Sequence, residues 1–438
     1  MERKRMLSSN SKNYEKIREH AEKTPVIETH EHYVGKISPV EDILSFVISG
    51  YYNSDIYSSA FGHSEDIGYI GKKDIPFEKR YPVFEKLYSK SCHTSYAKCM
   101  VEGLKDCWGI KGIDKNSLKE LEEKFQQRNQ SFFEKTMSRL NIKAMIINTE
   151  IENYIEKNTK FSPICKFAFN LPKYHNYSSL YYVGTRLATF RNLEKHLGYS
   201  ITCLDEFLEA FEIFLKKAIK WGVVCIKDQS AYVRKIQYSN SGKGEAEIIF
   251  NRLLTSSRKI FGTEEITILD DFLFHHYMRL ARKYDLPVQI HTGHMAGLRN
   301  DIVKTNAVHF TSVLELHKDV RFDLFHGNWP YLGELLFLGK NYPNVAIDLC
   351  WVNAIDPLYS VELLERALVT VPHTKIHAFG GDTREPEWVA GSLKLARDNV
   401  ALALSNMTDK GWIGLDEAKK LCEDWFFNNP NNFFNLNL

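Results

Sequence analysis

The chemistry of this chain starts at His30-Glu31-His32. Along a strand, side chains alternate between faces, so two histidines two positions apart project to the same side and the residue between them to the other. Two neighbouring imidazoles can be two ligands of one metal ion. The apolar stretch 26–29 before them reads as a short buried strand, which puts the motif at a strand's end. Glu31 is expected to face away and to touch the ligands' partners at most. A lone HxH is a weak signal. Its weight comes from residues that fall in the same place on other strands.

Those residues are Lys227-Asp228, His291 with His294 three positions on, His326, and Asp382. Each closes or follows a short apolar run. Asp382 has a plainer reading as the cap of a helix starting near Glu385, and His326 one as a satisfied core histidine. His294 reads equally as a pocket residue or a solvated loop residue.

The elements that must hold them follow from the apolar pattern. Eight short runs read as strands: 26–29, 144–148, 164–170, 223–227, 287–291, 321–326, 345–349 and 375–382. From residue 223 onward, strands alternate with helical stretches, the pattern of parallel strands joined by crossovers. Eight such units close a (β/α)8 TIM barrel, an α/β fold whose active sites lie at the C-terminal strand ends. A helical insertion is expected after the first strand, over about 35–140, and a second insertion over 171–203. The chain, 1–438, is expected to be one barrel domain. The rival architecture is an open doubly wound sheet, but no GxGxxG follows any strand.

The order HxH, His291-Thr292-Gly293, Phe325-His326-Gly327 and Phe379-Gly380-Gly381-Asp382 resembles the amidohydrolase superfamily, and within it the amidohydrolase-2 branch of metal-dependent hydrolases. That branch is related to nodulin-like amidohydrolases and includes aromatic-acid decarboxylases. The resemblance runs over about residues 25–430. It is strongest from 286 to 400 and weak across 35–220. It implies that His30, His32, His291 and Asp382 hold the main metal, a set suited to one catalytic Zn²⁺. It implies that Asp382 is the general base and acid, and that His326 polarises a substrate oxygen, moves a proton or holds a second metal. In some amidohydrolases a fourth-strand lysine is carbamylated and bridges two metals. Lys227 stands where that lysine would, and could instead bind a substrate carboxylate or pair with Asp228.

Arg384 is a candidate for a substrate carboxylate, with a salt bridge to Glu385 or Glu387 as its plainer role. Trp329 and Trp351 follow the sixth and seventh strands and are candidates for a pocket wall, as is His294. Arg186 and Arg191 are further candidates for an anionic group.

Composition sets the outer bounds. Of 438 residues, 44% are hydrophobic and 26% charged, ordinary for a globular enzyme. The net charge of +2 points to neither nucleic acid nor a membrane surface. Eight scattered cysteines with no CxxC pair read as reduced thiols, and the amino-terminal segment lacks a signal-peptide core, so a cytoplasmic location is expected. The expected partner is a small-molecule substrate, with a homo-oligomer possible.

The leading expectation is a metal-dependent hydrolase of an amide, lactone or ester-like bond. The alternatives are a non-oxidative decarboxylase or a uronate-isomerase-like enzyme on the same barrel. From another class, a non-catalytic barrel binding protein is the rival.

Overall fold

A computed structural model describes residues 6–61, 64–179, 181, 186–255 and 263–438. Its centre is one sheet of eight parallel strands in chain order, β1 to β8. They are β1 (Val26–Glu31), β2 (Ile142–Thr149), β3 (Cys165–Asn170), β4 (Val223–Asp228), β5 (Val288–Ile290), β6 (Phe322–Leu324), β7 (Val345–Asp348) and β8 (Ile376–His377). Consecutive parallel neighbours joined through helices give the expected (β/α)8 barrel.

Two strands differ from the sequence expectation at their ends. β1 runs on through Glu31 and bulges there. Glu28 pairs with Met145 and Glu31 with Ile147, so three steps on β1 match two on β2. The extra residue turns Glu28 and Glu31 toward one side. β8 is much shorter than 375–382. At Ala378 the chain leaves the ladder, because its N–H donates to the carbonyl of Trp425. The chain then returns to β1. Thr29 N donates to Phe379 O (3.1 Å), Asp382 N to His30 O (3.0 Å) and His32 N to Thr383 O (2.7 Å). These three bonds join the two ends of the sheet.

Ile27, Ala144, Ile146, Ala168 and Cys225 fill the barrel near the N-terminal strand ends, and Phe434 and Leu436 of the C-terminal segment cover them. No helix of the described residues is long and apolar enough to cross a membrane.

Among its described residues, the expected insertion between β1 and β2 is built of helices joined by short turns. Its helices start where side-chain caps stand. Asp42 accepts from Ser45 N, Thr94 from Ala97 N, and Asp114 from Asn116 N and Ser117 N. The segment has its own apolar cluster, including Ile43, Phe84, Leu104 and Leu121, completed by Trp388 from the helix Pro386–Asp409. A buried two-pronged contact from Arg80 to Asp42 (2.7 and 2.9 Å) ties its parts together. The second expected insertion carries a short turn at Pro172–Tyr174 and the helix Arg186–Leu197. Residues 180 and 182–185 within it, and the side chain of Arg186, lie outside the described ones.

The insertion docks where the helices Ser95–Trp108 and Pro386–Asp409 touch. A Cβ on Gly103 would lie 1.9 Å from the Glu387 carbonyl oxygen, and one on Gly391 would lie 2.0 Å from that of Cys99. Both obstacles are backbone, so neither can swing aside. Gly391→Ala should therefore destabilise the fold by about 1–3 kcal/mol or more, the usual cost of overpacking. A lower urea midpoint with an unchanged slope is the expected result; an unchanged midpoint would show that the helices part freely.

Candidate active site

The barrel brings its polar strand ends to one place. The rings of His30 and His32 converge, their centroids 5.1 Å apart. Both Nε2 atoms face one oxygen of Asp382, at 3.5 Å from His30 and 3.0 Å from His32. Glu31 turns away, as expected. It accepts from His32 N (2.8 Å) and from the Thr383 hydroxyl (3.1 Å). His30, His32 and Asp382 offer three ligand atoms within 4.8 Å of one another.

Asp382 is held in the left-handed region, at φ 52°. Its carbonyl accepts from the Tyr51 hydroxyl (2.5 Å), and its second carboxylate oxygen lies 3.9 Å from His326 Nε2. It does not cap the following helix, whose N-cap position is Glu385.

His326 and His291 form a buried pair, Nε2 to Nδ1 at 3.0 Å. The outer nitrogen of each meets a carbonyl. His326 Nδ1 faces Cys350 O (3.0 Å), and His291 Nε2 faces His294 O (2.8 Å). His291 thus stands behind His326, outside the three-residue group. Cys350 was missed by the sequence reading, though it follows β7 as the other candidates follow theirs. Its sulfur groups with His326 and Asp382.

Lys227 is fully buried over the Phe325 ring, 3.8 Å from the centroid, and its ammonium has no hydrogen-bond partner among the described residues. It does not pair with Asp228, which instead faces His175 Nε2 at 2.7 Å. Burial and then the charge of Lys227 hold His30 and His291 well below the usual histidine range. Burial, His291 and Lys227 do the same to His326. Burial also lowers Lys227 itself. For His32, burial is outweighed by the bond to Asp382, and its pKa rises. Neutral imidazoles are the form that binds metals.

A cleft of about 460 Å³ opens onto His32 and Asp382. Arg384, Tyr51, Tyr96 and Trp388 are among its walls. Tyr51, Tyr96 and Cys99 come from the insertion, where the sequence offered no marker for them. Trp351 stands behind the wall, stacked on Tyr51 (4.1 Å) and against His294 (4.9 Å). Trp329 meets His294 edge-on (5.3 Å), and its indole N–H reaches Asp356. Neither tryptophan nor His294 is among the cleft's lining residues. Glu385 and Glu387 are taken by Arg128, leaving Arg384 to the cleft.

A second buried group lies within the barrel wall: Asp323 on β6, Asp348 on β7 and His377 on β8. His377 Nδ1 lies 3.0 Å from Asp323 and 3.8 Å from Asp348. The sequence reading passed over all three, because each sits inside an apolar run.

Residues 262–390 match the model of a family described as Amidohydrolase (Amidohydro_2). A curated relative, Protein fluG of Emericella nidulans, is 28% identical over 157 residues, which is 34% of this chain and 18% of that protein. The chain therefore spans less than a fifth of that relative's length. Three solved structures share the fold. A uronate isomerase from Thermotoga maritima has a TM-score of 0.79 at 13% identity, covering 97% of this chain and 98% of that one. A glucuronate isomerase from Caulobacter crescentus has a TM-score of 0.78 at 15% identity, covering 100% and 97%. A putative metal-dependent hydrolase from Lactobacillus casei ATCC 334 has a TM-score of 0.64 at 15% identity, covering 96% and 98%. The family match thus covers residues 262–390, and the three solved structures share the fold over nearly the whole chain.

The second group makes stability depend on pH. Burial, then the charge of Asp348, pushes Asp323 up to about 7. Burial opposes a charge on His377, but Asp323 and Asp348 outweigh it and push it up to about 9. Both groups hold protons more tightly folded than unfolded, so their contribution to stability falls as pH rises. For His377 it is fully present below its ordinary value near 6.5 and lost through about 9. Urea unfolding of the wild type should lose more stability between pH 6.5 and 9.5 than that of Asp323→Asn/His377→Gln. Equal losses would refute the assignment.

Proposed function

We propose that this chain is a metal-dependent hydrolase acting on an amide, lactone or ester-like bond of a small substrate bearing a carboxylate. The observation that carries the reading is the Asp382 carboxylate. One of its oxygens is shared by His30 and His32, the other faces His326, and the cleft beside it contains Arg384.

His30, His32 and Asp382 offer three ligand atoms within 4.8 Å of one another, and burial holds His30 in the neutral form that binds metals. These residues suit a divalent ion, with zinc the natural choice for this donor set. His291 is the expected fourth ligand, but its Nδ1 meets His326 and its Nε2 meets the His294 carbonyl, so its ring would have to turn to reach that ion. When bound, such an ion supplies Lewis acidity toward water and a substrate oxygen.

The protein's own groups do the rest. Asp382 takes a proton from water and passes it to the leaving group. His326 faces the same carboxylate and can receive a hydrogen bond or a proton there. Arg384 grips the substrate's carboxylate. The aromatic walls exclude water around the scissile bond.

A second reading is the isomerisation of a uronate by the same side chains. What favours it is agreement in fold over nearly the whole chain, insertion included, with two uronate isomerases.

One assay separates them. Zinc-reconstituted protein is offered carboxylate-bearing lactones, esters and N-acyl compounds beside a panel of uronates. Hydrolysis without uronate turnover is expected, and uronate turnover without hydrolysis would overturn the first reading. On the active substrate, Asp382→Asn should lower kcat about 10²–10⁴-fold, while Arg384→Ala should act mainly on KM. Near-normal kcat in Asp382→Asn would remove its proton-transfer role. A chelator should abolish turnover, and added zinc should restore it.

A further inference from the structure

Asp382 is not placed by its own strand, since β8 ends five residues earlier, at His377. It lies on a short strap, 380–383, and the strap leans on two carboxylates of β1. Gly381 N donates to Glu28 Oε1 (3.0 Å), and the Thr383 hydroxyl donates to Glu31 Oε2 (3.1 Å). The two residues that flank Asp382 are thus each held by one glutamate. Both glutamates are fully buried.

Two further observations point the same way. The β1 bulge is what turns Glu28 and Glu31 to one side, which a regular strand forbids for residues three apart. Position 381 is cut to fit them as well. A Cβ there would lie 2.7 Å from Glu28 Oε1 and 3.0 Å from Glu31 Oε2. The carboxylates can approach the backbone only because residue 381 has no side chain. Glu31 accepts from His32 N too, so one side chain orients both His32 and the strap.

We propose that Glu28 and Glu31 form a clamp on β1 that positions Asp382 against His30 and His32. They are positioning residues: neither reaches the cleft, and each acts through the backbone or hydroxyl of a residue next to Asp382. The inference rests on the reading of Asp382 as a metal ligand.

The test uses Co²⁺ alone, with the full-length protein. Cobalt affinity and the visible absorption spectrum report the ligand geometry without any substrate, and thermal unfolding of the metal-free protein reports the fold. Glu28→Ala and Glu31→Ala should each weaken Co²⁺ binding by about 10–100-fold, as loss of a ligand's supporting partner does, and should change the spectrum. Glu28→Gln keeps an acceptor for Gly381 N and should stay within a few-fold of wild type. Thr383→Val removes only the hydroxyl contact to Glu31. It should weaken binding in the same direction even if the alanine variants fold poorly.

Binding and spectra within twofold of wild type in every clamp variant, while Asp382→Ala loses the metal, would overturn the clamp alone. Equal losses for Glu28→Gln and Glu28→Ala would also overturn it. Undiminished binding in Asp382→Ala would overturn the ligand reading and the clamp with it.

Discussion

Everything at this site depends on how the barrel closes. Seven of the eight strand junctions are parallel ladders between consecutive strands. The eighth joins β1 to a stretch that has already left β8, through three backbone bonds at Thr29, His30 and His32. A seam between residues some 350 positions apart in sequence brings little local help to its own formation. It is also where both histidines of the motif and Asp382 meet. Barrel closure and assembly of the site are thus one event: the hydrogen bonds that finish the sheet are those that set the ligand atoms side by side.

The barrel's interior explains why the rest must be well made. Ionisable groups buried without water are costly unless paired. Here Lys227, Glu28, Glu31, Asp323, Asp348 and His377 are all buried. The glutamates hold the strap. His377 sits between two aspartates. Lys227 lies over an aromatic ring amid neutral histidines and lowers their proton affinity. Such an arrangement sacrifices stability to keep a set of imidazoles unprotonated beside a carboxylate, the state in which they can hold a cation.

Much of this was legible in the chain. Apolar runs alternating with helical stretches announced eight strands, because a strand buried on both faces must be apolar along its length. A polar residue closing such a run is conspicuous, and so His30, His32, Lys227, His291, His326 and Asp382 stood out. Other features were hidden for physical reasons. Asp323, Asp348 and His377 pair with each other inside apolar runs, and only the sheet's register reveals it. The β1 bulge depends on β2, so the common side taken by Glu28 and Glu31 could not be read from β1. The early end of β8 is due to Trp425, about fifty residues on. Tyr51, Tyr96 and Cys99 belong to an insertion whose periodicity announced helices but not which of their residues would meet the barrel.

The backbone contacts at Gly103 and Gly391 have a consequence for what the cleft can accept. At these two glycines backbone meets backbone with no side chain to give way, so the helices' spacing acts as a gauge block. One of these helices bears Tyr96, Cys99 and Met100, and the other bears Trp388 and Ser392, so they are opposite jaws of the cleft. Jaws set against a solid stop do not widen for a larger guest. A molecule too broad for that gap is turned away by geometry alone, before any charge or hydrogen bond is consulted, and a change of substrate range along this axis would have to begin with the residues on the jaws.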